Sequence, residues 1–104
     1  MCGMKHFMIR YTRANGTQEE WHRAIAGFSD EIDRNPALKG KILYRCMKAR
    51  DGADYFHLAA AADENAVKAL QSQEFFKSYT EKTRQVAGGA VTVTPLELIA
   101  ETPA

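Results

Sequence analysis

Cysteine is scarce in this chain, with only Cys2 and Cys46 among 104 residues. Met1 to Arg10 also lacks the apolar core and small-residue cleavage site of a secretory signal peptide. The expectation is a cytoplasmic protein with two free thiols rather than a disulfide. Long apolar runs are missing too. No stretch approaches the ~18 consecutive apolar residues of a membrane-spanning helix. Neither charge is in excess: 14 basic and 13 acidic residues are interspersed, for a net charge of +1. Nucleic acid is therefore not an expected partner, because phosphate binding needs a concentrated positive face. There is no glycine-rich phosphate loop, since Gly88-Gly89 follows a helical pattern and a phosphate site needs its glycines before one. No pair among His6, Cys46 and His57 has the close spacing of a zinc site, and no nucleophile triad is visible.

What is present is ordinary globular composition, 45% hydrophobic and 26% charged, in a length that fits one domain over residues 1–104. Lys5 to Thr12 alternates like a strand, with Phe7, Ile9 and Tyr11 on one face and His6, Met8 and Arg10 on the other. Thr17 opens a helix with the pattern Thr-x-x-Glu, in which Glu20 can reach back to the cap's own N–H. In that helix Trp21, Ile25, Phe28 and Ile32 fall on one stripe, and Asn35-Pro36 ends it. Leu38 tucks the connection onto the core. Lys41 to Lys48 and Tyr55 to Ala61 read as two strands joined by a tight turn at Asp51-Gly52. That turn pairs Cys46 with His57, Tyr44 with Ala59, Met47 with Phe56 and Arg45 with Leu58.

Asp63 caps the next helix, and one long amphipathic helix is expected from there to Gly88-Gly89, with Val67, Leu70, Phe76, Tyr79 and Val86 as its apolar positions. Ala90 to Ala100 is the last strand. Pro95 cannot donate to a ladder, so that strand belongs at a sheet edge or carries a bulge.

The order strand, helix, strand, strand, helix, strand is the ferredoxin-like arrangement. It is an α+β fold with a four-stranded antiparallel sheet and two helices on one face. In this reading Phe7, Ile9, Phe56 and Leu58 meet the helices. The other sheet face carries His6, Met8, Arg10, Tyr44, Cys46, His57 and Ala59, too apolar in its middle to stand in water. A second copy is expected to cover it, giving a homodimer with a small-molecule pocket between sheet and partner.

The candidate site residues all come from that face. A neutral His57 in a half-buried pocket can take a phenolic proton near neutral pH, or it can simply hydrogen-bond across the dimer interface. Arg10 can clamp a phenolate or carboxylate, or pair with an acid of the other subunit. Tyr44 offers a hydroxyl or a wall, and Met8 and Cys46 complete the lining. His6 and His22 read as solvated, and Trp21 as the core anchor of the first helix.

With these elements in place, the chain resembles the antibiotic biosynthesis monooxygenase domain of the dimeric α+β barrel superfamily, from about Lys5 to Glu101. The segment YFHLAAAADENAVKALQSQEFFKSYTEK carries most of the resemblance: a strand, an acidic helix start, an Ala/Leu turn, and a kink matched by Gln71 to Phe76. The resemblance implies oxidation of small aromatic, quinol or polyketide-like molecules by O₂ without a cofactor, the substrate being deprotonated first. A haem-degrading branch uses an Asn on the first strand, a Trp on the third and a His on the second helix. This chain has Met8 and Arg10 in its first strand and neither of the other two, so that branch is set aside. Two functions from different classes follow. One is a cofactor-independent monooxygenase with His57 as base and Arg10 as anion clamp. The other is a binding module without turnover, a sensor or carrier, favoured by the empty space that Ala59 to Ala62 leaves.

Overall fold

Alternating side chains give the strand β1 (Lys5–Thr12) two unlike faces. The computed structural model, which describes residues 4–103, places it inside a four-stranded sheet. After β1 come α1 (Gln18–Arg34), β2 (Ile42–Lys48), β3 (Asp54–Ala61), α2 (Glu64–Gln71), α3 (Glu74–Val86) and β4 (Thr92–Leu96). The sheet order is β2-β3-β1-β4, with every neighbouring pair antiparallel. This is the expected ferredoxin-like α+β fold. Pro95 lies on the edge strand β4, opposite Phe7, where a missing donor is tolerated. Cys2 lies outside the described residues, and Cys46 is a free thiol.

Both helix starts form as their side chains dictate. The Thr17 hydroxyl accepts from the Glu20 N–H at 3.2 Å, but the Glu20 carboxylate turns to that same hydroxyl at 3.1 Å instead of reaching the backbone N–H of the cap. Asp63 Oδ1 accepts from the Ala66 N–H at 2.9 Å. Each cap contributes about 1 kcal/mol.

The single long helix expected after Asp63 is in fact two. Ser72 Oγ donates to the Ala69 carbonyl at 2.9 Å and the Gln73 side-chain amide donates to the same carbonyl at 3.2 Å, so side chains occupy an acceptor at the end of α2. Gln73 is then extended, and Asn35 at the end of α1 donates to its side-chain oxygen at 3.2 Å. The break re-aims α3 so that Tyr79, Thr83 and Val86 turn inward.

The second correction concerns the faces of the hairpin. Its register is as expected: Cys46 pairs with His57, Tyr44 with Ala59, Met47 with Phe56 and Arg45 with Leu58. β3 also pairs with β1, however, and sets His57 opposite Ile9, Tyr55 opposite Tyr11 and Ala59 opposite Phe7. Residues directly opposite share a face. His57, Tyr44, Cys46 and Ala59 therefore face the helices with Phe7, Ile9 and Tyr11. Phe56 and Leu58 lie on the open face with Met8 and Arg10, and Arg10 sits over the Phe56 ring at 5.8 Å.

The core explains why. Trp21, Phe28, Ile32 and Leu38 pack with Tyr11, Tyr55 and Tyr79. The hydroxyls of Tyr11, Tyr44 and Tyr79 and the indole N–H of Trp21 can be buried together only if they bond to one another, and His57 supplies the acceptor and donor that complete the set. Hydropathy alone would choose Phe56 and Leu58 for the inside.

Candidate functional site

Five elements contribute to one buried row of polar groups. Trp21 from α1 donates its Nε1–H to the Tyr11 hydroxyl on β1 at 2.7 Å. Tyr11 Oη lies 2.7 Å from His57 Nε2 on β3. His57 Nδ1 makes a short hydrogen bond with the Tyr44 hydroxyl on β2, and Tyr44 Oη is 2.9 Å from the Tyr79 hydroxyl on α3. His57 is 1% exposed.

The row has a direction. Indole nitrogen can only donate, so Tyr11 accepts from Trp21 and must place its own proton on His57 Nε2. With a proton on Nε2 instead, the buried Tyr11 O–H would have no acceptor, a cost of about 1–3 kcal/mol. The network thus assigns the imidazole proton to Nδ1, which donates to Tyr44, and the Tyr44–Tyr79 hydrogen bond can run in either direction. One hydroxyl proton of the Tyr44–Tyr79 pair is left over for the cavity.

Burial sets the charge states. It pushes the His57 imidazole down to about 4, so the ring is neutral at neutral pH. Burial also holds the Tyr11, Tyr44 and Tyr79 hydroxyls well above the ordinary tyrosine range, outweighing the opposing hydrogen bonds at Tyr11 and Tyr44. The Cys46 thiol is pushed up to about 11 for the same reason and stays protonated.

The row ends on a cavity of about 370 Å³ between the sheet and α2–α3. That is near the lower end of the ~300–1,000 Å³ span of ligand clefts. Its walls are Phe7, Ile9, Phe28, Val67, Leu70 and Phe76, with Ala59, Ala60 and Ala61 as a small-residue floor. Tyr44, His57 and Tyr79 bring the polar atoms in. Gln71, Thr80 and Arg84, all exposed, also line it, and Arg84 is tied to Glu81 at 2.6 Å. Val93 on β4 lines it while remaining 59% exposed, so the cavity opens along that edge. No Asp or Glu lines it.

The site residues expected from sequence are divided by the sheet. His57 and Tyr44 reach the cavity. Cys46 is on their face but packs against the core beside them. Arg10 and Met8 lie on the opposite face and do not line the cavity, whose walls all come from one chain. Sequence reasoning missed Tyr79, Tyr11 and the polar role of Trp21. The hint available was four aromatic residues able to hydrogen-bond on core-facing positions. His22, read as solvated, is exposed but bonds through Nε2 to the Tyr55 hydroxyl at 2.8 Å.

Fold and cavity together define a ferredoxin-like α+β protein with an apolar cavity under its helices. No family model matches the chain, and neither does any curated protein. Solved structures do. A mutant of SnoaB, a cofactor-independent oxygenase from Streptomyces nogalater, superimposes with a TM-score of 0.80 at 18% identity, over 99% of this chain and 100% of that one. A Caulobacter crescentus protein assigned provisionally as an antibiotic biosynthesis monooxygenase gives 0.78 at 16% identity, over 95% and 92%. A dimeric ferredoxin-like protein of unknown function from Jannaschia gives 0.73 at 18% identity, over 92% and 100%. The chain has the fold of the antibiotic biosynthesis monooxygenase group. Among the described residues no helix is long and apolar enough to cross a membrane.

Proposed function

We propose that the protein is a cofactor-independent oxygenase of the antibiotic biosynthesis monooxygenase type, acting on a small aromatic, quinol or polyketide-like molecule in the cavity. The observation that carries this reading is the pair of hydroxyls, Tyr44 and Tyr79, at the end of a preorganised hydrogen-bonded row in an otherwise apolar cavity. Donors held in place in a dry site stabilise oxygen that becomes anionic, and the electron-rich anion of a phenol or anthrone is the form that reacts with O₂. In the net reaction a substrate CH₂ becomes C=O. One oxygen atom enters the carbon and the other leaves with both hydrogens as water, so four electrons pass from carbon to O₂.

In this reading His57 acts through Tyr44, holding its hydroxyl oxygen and leaving the O–H free to point along the row. We also place the protein in solution as a homodimer. Met47, Leu43 and Leu96 are exposed, and with Met8, Phe56 and Leu58 they give the sheet's open side an apolar character that a second copy would cover.

A second reading, a binding module without turnover, is favoured by one observation: both nitrogens of His57 are engaged and no carboxylate lines the cavity, so no free base is present. Oxygen uptake with a panel of anthrones, quinols and catechols separates the two. Uptake above the autoxidation rate, reduced about 10- to 100-fold in Tyr44→Phe and His57→Ala, is expected for the oxygenase. Ligand-induced thermal stabilisation with no uptake from any panel member would favour the binding module.

A further inference from the structure

All four tyrosines of the chain, Tyr11, Tyr44, Tyr55 and Tyr79, and its single tryptophan, Trp21, belong to one connected cluster. Tyr79 lines the cavity and stacks on Trp21, with ring centres 5.6 Å and planes 13° apart. Trp21 meets Tyr11 edge-on at 6.3 Å, and Tyr11 lies flat on Tyr55 at 5.3 Å. The Tyr55 hydroxyl is 2.8 Å from Nε2 of His22, which is exposed. The easily oxidised rings thus form an unbroken file from the cavity to the surface of α1. Phenylalanine, far harder to oxidise, stands aside from it. Phe7, Phe28 and Phe76 line the cavity, Phe75 packs on Phe28, and Phe56 lies on the open face.

Packing alone does not require this sorting, because phenylalanine fills a stacked core without a hydroxyl to satisfy. What the two tyrosines beyond Trp21 add is an imidazole at each hydroxyl. Tyr11 places its proton on His57 Nε2 at 2.7 Å. The Tyr55 hydroxyl has no other partner among the described residues, so its proton goes to His22 Nε2, and His22 keeps its own proton on Nδ1. A phenol that loses an electron becomes a strong acid. With a base in hydrogen-bond contact it sheds the proton at once and becomes a neutral radical. Two stacked tyrosines, each bonded to a different imidazole, meet that requirement.

We propose that this file is an electron path from the protein surface to the cavity, which quenches one-electron oxidants formed there. It rests on the proposed function only for the origin of the oxidant. An electron passing from a substrate anion to O₂ gives a substrate radical and superoxide. When the superoxide escapes, the substrate radical adds a second O₂ and becomes a peroxyl radical. The peroxyl takes one electron from Trp21 through the Tyr79 ring and one proton from water at the open β4 edge, and ends as a hydroperoxide. Tyr11 refills Trp21 and Tyr55 refills Tyr11, whose proton returns from His57. The Tyr55 proton waits on His22 Nε2.

At this end of the file lies a cleft of about 180 Å³ lined by His22, Cys46, Lys48 and Tyr55 among others. The Lys48 ammonium in its wall suits a small anionic donor, an ene-diolate such as ascorbate. The donor gives Tyr55 one electron and releases one proton to solvent, and the Tyr55 proton returns from His22. Over the cycle one electron and one proton pass from the donor to the peroxyl.

The test needs no substrate. A laser flash absorbed by Trp21 alone, in air-saturated buffer where O₂ takes up the ejected electron, oxidises the tryptophan of the intact protein. The broad tryptophanyl absorption should decay as the sharp tyrosyl band grows, at one rate that does not change with protein concentration. Ascorbate should then remove the tyrosyl radical of the wild type at least tenfold faster than that of Tyr55→Phe or His22→Gln. Glutamine can accept the hydrogen bond but cannot take the proton, so His22→Gln separates the base from the packing.

Tryptophanyl decay without a tyrosyl band, or decay that quickens with protein concentration, would overturn the proposal. So would equal ascorbate rates in the wild type and either variant. If Tyr55→Phe fails to fold, His22→Gln, at an exposed position, decides alone. A protein that passes the radical but takes up no oxygen with any quinol keeps the path and loses the oxygenase. Oxygen uptake without a tyrosyl band is the reverse result.

Discussion

The Tyr44 hydroxyl reaches His57 Nδ1 diagonally across the β2–β3 ladder, although Tyr44 is paired with Ala59 and the residue opposite His57 is Cys46. A tyrosine is long enough to span such a diagonal, and the small side chain of Ala59 leaves its ring room. The contact joins the sheet to α3, because the same hydroxyl also meets Tyr79. One imidazole thereby has partners on the two strands flanking its own, Tyr11 on β1 and Tyr44 on β2.

Burying His57 neutral makes stability depend on pH. Its folded value, about 4, lies below the ordinary 6.5, so between those values the unfolded chain binds a proton that the folded chain does not. Stability must rise with pH through that window, with the contribution complete above about 6.5 and lost as pH falls toward 4. Urea melts at pH 5 and pH 7.5 should show the wild type losing about 2 kcal/mol more than His57→Gln over the same interval. Parallel losses in the two proteins would mean that the imidazole is not held neutral.

Phe28 and Phe76 should separate in a stability measurement. Phe28 is buried and stacks on Tyr79 with ring centres 3.8 Å apart, whereas Phe76 is only half-buried and lines the cavity. Phe28→Ala should cost about 3–5 kcal/mol, the usual range for a core phenylalanine, and Phe76→Ala roughly half as much. Equal losses in urea melts would show that the cavity wall is packed as tightly as the core.

Substitutions on the two sheet faces should act on different observables. Arg10→Met leaves the cavity untouched and should keep ligand affinity within about twofold, while changing the oligomer population seen in sedimentation. Tyr44→Phe should do the reverse, weakening an oxygen-bearing ligand by about 1 kcal/mol or more with the oligomer unchanged. A loss of ligand binding in Arg10→Met would bring the open face back into the site.

Much of the fold follows from local chemistry that the sequence displays. Thr17 and Asp63 mark helix starts because their side chains satisfy free N–H groups a few residues away, and Asp51-Gly52 sets the register of its hairpin because a short turn leaves no slack. The α1 stripe is legible because helical spacing alone brings Trp21, Phe28 and Ile32 together. The break at Ser72-Gln73 is harder to read. Its polar side chains bond to the Ala69 carbonyl, and Asn35, far away in the chain, holds Gln73.

The sequence by itself determined the order of the strands and helices apart from the break between α2 and α3, the pairing of β2 with β3, and the residues sharing a face within each strand. Only the tertiary structure decided which face of the hairpin goes inside. That choice belongs to β1, which sets His57 opposite Ile9, and to the mutual satisfaction of Trp21, Tyr11, His57, Tyr44 and Tyr79. A histidine read alone is a polar residue that should avoid the core. Five polar groups from five separate elements cancel one another's burial cost only when the fold has brought them together, and no local pattern along the chain records that they will.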